Sequence, residues 1–193
     1  MENVLNEILS KLDNDSLQAI SKQANATPDK TKNALASAIP ILMNALAKNS
    51  SSSEGAAALQ KAVAKDHNGS LLDNLGDFLH NPASANGAGI LKHVLGNKKQ
   101  NVEQYISKDS GLSGASVGKI LEMAAPMVMG YLGKKSSGGD GNLINAYLKT
   151  EKKQAPQSQS VINQLLDRDN DGSIMDDIAE MGMSFLGKMM KRK

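Results

Sequence analysis

The chain contains no cysteine and no tryptophan, and its aromatic complement is two phenylalanines and three tyrosines. Without thiols there is no disulfide framework and no thiolate chemistry, a composition that suits a reducing compartment. So few aromatics, set against abundant Ala, Leu, Met, Lys and Ser, disfavour strands and favour helices. Arginine is scarce as well, with only Arg168 and Arg192. Basic and acidic residues number 22 and 20, so the net charge of +2 advertises no nucleic-acid partner. No run approaches the ~18 apolar residues of a membrane span. The first dozen residues lack both a basic start and an uninterrupted apolar run, so no signal peptide is read and a cytoplasmic location is expected. No Gly-x-Ser-x-Gly elbow, phosphate-binding loop or dinucleotide fingerprint occurs, and no enzyme is expected.

What is present is enough apolar residue, 40% of 193 positions, to build a helical core. Val4, Leu5, Ile8, Leu9 and Leu12 share one face and predict a first helix over 2–12. Asn14, Asp15 and Ser16 supply N-cap residues for a second, ending near Gln23. Thr27-Pro28 opens a third that runs to about Lys48, with Pro40 expected to kink or break it after Ile39. A polar linker at 50–53, a helix over 55–65, a turn at 66–69, a helix over 71–79 and a loop over 81–87 complete this half.

Displaced by 86 residues, the chain matches itself. Between Gln18 and Gly55, 13 of 38 positions are identical, where composition alone gives about two or three. The pairs include Ile20 with Ile106, Leu35 with Leu121, Pro40 with Pro126 and Met43 with Met129. The pattern predicts an all-α bundle of two related helical halves with no β-sheet. The expected divisions are 1–86, 87–148, a flexible linker over 149–160, and a C-terminal helix-loop-helix over 161–193. The glycine-rich stretch Ser136–Gly141 reads as a mobile linker, and Met175–Met190 as a final helix carrying Met181, Met183, Phe185, Leu186, Met189 and Met190.

The most chemically specific stretch is Asp167-Arg-Asp169-Asn-Asp171-Gly172-Ser173-Ile174-Met175-Asp176-Asp177. Carboxylates at positions 1, 3 and 5, a glycine at 6 and a backbone carbonyl at 7 are the ligand pattern of an EF-hand calcium loop. The expected ligands of one Ca²⁺ are Asp167, Asp169, Asp171 and the Ser173 carbonyl. Asp176 or Asp177 would replace the usual glutamate at position 12, where Ile178 stands. The equivalent turn in the first half has Ala64, Asp66 and Asn68 at the acidic positions; too little charge remains for a hard cation, and Asn68-Gly69 is expected to turn the chain while Ser70 caps the next helix. His67, His80 and His93 stand 13 apart and show no paired spacing.

Two function classes follow. The leading one is a non-enzymatic helical protein with a calcium loop, acting through protein contacts. The alternative is a helix-turn-helix nucleic-acid binder, in which Lys30, Lys32 and Asn33, or Ser116 and Lys119 in the second half, would face the groove. Three phrases, Asp66-His67-Asn68-Gly69-Ser70-Leu71-Leu72-Asp73-Asn74-Leu75, Gly89-Ile90-Leu91-Lys92-His93-Val94-Leu95-Gly96 and Ala124-Ala125-Pro126-Met127-Val128-Met129-Gly130, are similar to those of the YidB-like family of bacterial proteins of unknown function. That resemblance implies an all-helical fold and brings no catalytic residues with it.

Overall fold

The computed structural model describes residues 4–154 and Leu166. Among them are ten α-helices, two short 3-10 turns and no strand. The Asp167–Asp177 loop and the Met175–Met190 stretch lie outside the described residues.

α1 (Val4–Lys11) puts Val4 and Ile8 into the core. α2 (Asn14–Gln23) begins one residue earlier than its Asn-Asp-Ser signal suggests, because Asp13 is the cap: its Oδ1 accepts the Ser16 amide at 2.8 Å. α3 (Pro28–Asn49) starts as expected, with Thr27 at the cap and Pro28 in the first turn, where a missing amide costs nothing. It does not break at Pro40. The helix is continuous through the proline, with Ala38, Ile39, Ile41 and Leu42 all buried around it. Packing on this scale, at ~1.5–3 kcal/mol for each large aliphatic side chain, outweighs one lost hydrogen bond.

α4 (Ser53–Asp66) is opened by the Ser52 hydroxyl, which accepts the Gly55 amide at 3.1 Å. The single helix expected over 71–79 is two: α5 (Ser70–Asp73) and α6 (Leu75–His80). Asn74 divides them, with φ −124° and ψ 48°, and its side-chain amide donates to the Ser70 carbonyl at 3.0 Å. A 3-10 turn (Pro82–Ala85) occupies part of the expected loop. α7 (Gly87–Val94), a 3-10 turn (Gly96–Lys98) and α8 (Lys99–Ser110) follow, the last stopping at Gly111 with φ +65°.

α9 (Gly114–Lys135) has the same 22-residue length as α3, the same serine-or-threonine cap, and a proline at the same place. It is the buried axis: every residue from Met123 to Gly133 is out of solvent. α10 (Gly141–Gln154) extends six residues past the expected end at Leu148, so the first half of the stretch read as a linker is helical. Nor is Ser136–Gly141 a mobile linker. Ser136 is fully buried, donates to the Leu132 carbonyl at 2.6 Å and accepts the Gly139 amide at 3.1 Å. Gly139, at φ +122°, rests against Ala64 of α4.

The buried residues form one cluster that runs from Val4 and Ile8 through α3 and α9 to Ile144, Leu148 and Leu166. α3 and α9 pair most extensively, and the shorter helices wrap them. One proline and two glycines set the close approaches on α9. Pro126 removes the amide that would bond the Glu122 carbonyl, and the N-terminus of α7 packs there. A Cβ on Gly87 would come within 2.7 Å of the Glu122 carbonyl carbon. Gly133, further along α9, receives the backbone of the Asp66–Asn74 turn in the same manner.

Candidate functional site

The Asp66–Asn74 turn is built by Asn68 and Gly69. Gly69 takes φ +103°, a conformation that glycine adopts freely, and the Asn68 Oδ1 accepts the Ser70 amide at 3.1 Å. Ser70 was expected to cap α5, but its own amide is the one being satisfied, and its carbonyl is used by Asn74. Asp73 forms an ion pair with Lys134 of α9, which holds the Asp73 carboxyl below the usual carboxylate range.

The turn closes one end of a cleft of about 660 Å³ between α4 and α7. Gly55, Ala58, Leu59 and Ala62 form the α4 wall; Gly89, Ile90, His93 and Val94 form the α7 wall. Leu46 of α3 and Met129 of α9 make the floor, and Asp66 and His67 stand at the end. The α4 wall is low because three of its residues are Gly or Ala. The other end is pinned. Asn49 Nδ2 donates to the His93 carbonyl at 3.2 Å and the Val94 carbonyl at 2.9 Å, satisfying acceptors that the last turn of α7 leaves open.

The structure brings His67 and His93 to the same cleft and leaves His80 exposed elsewhere. The sequence spacing carries no sign of this, because the two histidines belong to separate segments that only tertiary packing brings together. Burial pushes the His67 imidazole below its ordinary value, with the Asp66 charge opposing the shift. Among the described residues no three His, Asp or Glu side chains converge as a metal site. For Asp167, Asp169, Asp171, Ser173, Asp176 and Asp177 no geometry is described; the nearest described residue is Leu166. That residue is buried, and its carbonyl accepts the Lys48 ammonium at 3.1 Å and the Lys98 ammonium as well.

The helix-turn-helix candidates are placed differently in the two halves. Lys32 and Asn33 are exposed on α3, while Lys30 donates to the Gly111 carbonyl at 2.9 Å. On α9, Ser116 is buried and its hydroxyl is engaged with Ser113, and only Lys119 reaches solvent. A groove-reading helix needs a continuous exposed face, and α9 from Met123 onward has none. No described helix is long and apolar enough to cross a membrane.

Residues 6–135 match the family model described as bacterial protein of unknown function (DUF937). No curated protein and no solved structure gives a significant match. The matched stretch runs from α1 to the end of α9 and so takes in both walls, the floor and the Asp66–His67 end of the cleft. The chain belongs to the DUF937 family of bacterial proteins of unknown function.

Proposed function

We propose that this chain is a non-enzymatic helical protein that acts through protein contacts, and that the α4–α7 cleft is where it takes the apolar face of an amphipathic helix. The cleft itself carries the reading. Apart from His93 its walls are small and aliphatic, its floor is Leu46 and the adaptable thioether of Met129, and Asn49, Asp66 and His67 sit at the ends. A helix laid between α4 and α7 would place anchors at i, i+4 and i+7 against that floor. An environment-sensitive fluorophore on Ala62→Cys tests this, the natural chain having no other thiol. With a saturating synthetic peptide bearing leucines at i, i+4, i+7 and i+11, the label should emit as a shielded group, while the same label on exposed Ala115→Cys should not. Water-exposed emission at both positions, with and without peptide, would remove the reading.

The acidic stretch supports a second, local element. Asp167, Asp169 and Asp171, the Ser173 carbonyl, and Asp176 or Asp177 would hold one Ca²⁺, because three alternating carboxylates repel one another unless a cation neutralises them. The ion would fix how the Met175–Met190 segment leaves the preceding residues. Calorimetric titration with Ca²⁺ should show one site that disappears in Asp167→Ala with Asp171→Ala; no heat in the natural chain would end the idea. The 86-residue self-match, supported by the equal lengths and matching prolines of α3 and α9, reads as an internal duplication. The three shared phrases support a narrower placement among YidB-like proteins.

A further inference from the structure

We propose that the occupant of the α4–α7 cleft is the chain's own C-terminal segment, residues 175–190, reached from an anchor at Leu166. The proposal rests on the reading of the cleft as a helix-binding site and names what fills it. Three observations point the same way.

The first is where the chain stands when it reaches Leu166. That carbonyl is gripped by Lys48 and Lys98. Lys48 is the neighbour of Asn49, which lines the cleft, and Lys98 lies four residues beyond Val94, which closes the α7 wall. Leu166 is thus held by lysines that flank, in sequence, the Asn49–Val94 end of the cleft.

Length is the second. Residues 167–174 reach at most about 26–29 Å when extended, enough to turn from the anchor into the cleft. A helix over residues 175–190 would be about 24 Å long, close to the roughly 21 Å of the 14-residue α4 that forms one wall.

The third is complementarity of pattern. Ile178, Met181 and Phe185 fall at i, i+3 and i+7, a stripe that needs apolar cover. The cleft offers the reciprocal surface: Gly55, Ala58 and Ala62 at helical spacing on one wall, low enough for large knobs, with Met129 below. A second copy of the chain could present the same stripe, but a short tether gives the cis segment an effective concentration on the order of millimolar. At micromolar protein the intramolecular arrangement prevails.

Full-length chains carrying Ala62→Cys with Met181→Cys, treated with a short bismaleimide crosslinker, test the inference. The control is Ala115→Cys with Met181→Cys, since Ala115 is exposed at the start of α9. The expected product is a crosslinked monomer formed at least about tenfold faster than in the control, at a rate independent of protein concentration. Equal rates in the two variants would overturn the proposal, and crosslinked dimers that increase with concentration would overturn it in favour of a second copy. A further full-length variant, Met181→Glu with Phe185→Glu and the fluorophore on Ala62→Cys, should shift the label toward water-exposed emission; unchanged emission would also count against the proposal. Should the cis crosslink fail while an added leucine peptide still shields Ala62, the cleft reading stands and only its occupant is wrong.

Discussion

Gly130 and Gly133 lie one turn apart on the buried axis helix, and the structure predicts opposite responses to the same substitution. An alanine Cβ at Gly133 would fall inside the shell of the His67 carbonyl oxygen, 2.8 Å from the Asn68 carbonyl carbon and 2.9 Å from that of His67. These are backbone atoms of the Asp66–Asn74 turn, so no side chain can swing aside. The His67 carbonyl oxygen would stand 1.8 Å from that Cβ, so the turn would have to lift by about an ångström or more, and Leu71 and Leu72 would lose contact with α9. Helix propensity returns about 1 kcal/mol on replacing glycine. Overpacking against rigid neighbours costs roughly 1–3 kcal/mol, with this site at the upper end. The net expectation for Gly133→Ala is a loss of about 1–2 kcal/mol, or a melting temperature lower by roughly 2–8 °C. At Gly130 the nearest atoms to a new Cβ are Leu72 Cγ at 3.6 Å and Leu71 Cβ at 3.8 Å, which is ordinary contact. Gly130→Ala should therefore gain up to about 1 kcal/mol. Thermal and urea unfolding followed by helical circular dichroism decides the matter. Equal stabilities for the two variants, or a Gly133→Ala protein at least as stable as the natural one, would refute the packing described for this turn.

Other perturbations follow from single residues. Thr31 is fully buried on α3, and its hydroxyl has no hydrogen-bond partner among the described residues, so Thr31→Val should raise stability by about 1 kcal/mol with an unchanged urea slope. Ser136→Ala strips the buried turn of its hydroxyl bonds to the Leu132 and Gly133 carbonyls and to the Gly139 amide, which keeps its bond to the Ser136 carbonyl; a loss of roughly 1 kcal/mol is expected in the same assay. For His67 the folded state resists protonation because of burial, so the unfolded chain binds the proton first and stability falls as pH drops below the ordinary histidine value. The difference in unfolding free energy between pH 7.5 and pH 5.5 should be smaller in His67→Gln than in the natural chain, and an identical difference would contradict the assignment.

The start of α3 was legible because the Thr27 hydroxyl and the fixed φ of Pro28 act locally. The failures share a cause. Pro40 does not break α3, and Ser136–Gly141 is not a linker, because in both places the deciding term is burial against a distant segment. The division of 71–79 into two helices depends on Leu71 and Leu72 packing over Gly130, a contact between residues almost sixty positions apart. For the same reason the cleft is invisible in the sequence: its walls, 55–62 and 89–94, are joined only by a floor drawn from α3 and α9. The acidic loop is the reverse case, complete in eleven consecutive residues, so its chemistry can be read locally while its place in the fold cannot.

The central claim is that the α4–α7 cleft receives an apolar helical face, and Met129 on its floor is the natural reporter. With methionine methyl groups labelled with carbon-13, Met129 and the fully buried Met127 provide a responding position and a silent one two residues apart on α9. In the full-length Met181→Glu, Phe185→Glu variant the Met129 methyl should shift while Met127 does not, and an added peptide copying residues 174–193 should return Met129 toward its original position. A Met129 signal that ignores both the substitutions and the peptide would contradict the account.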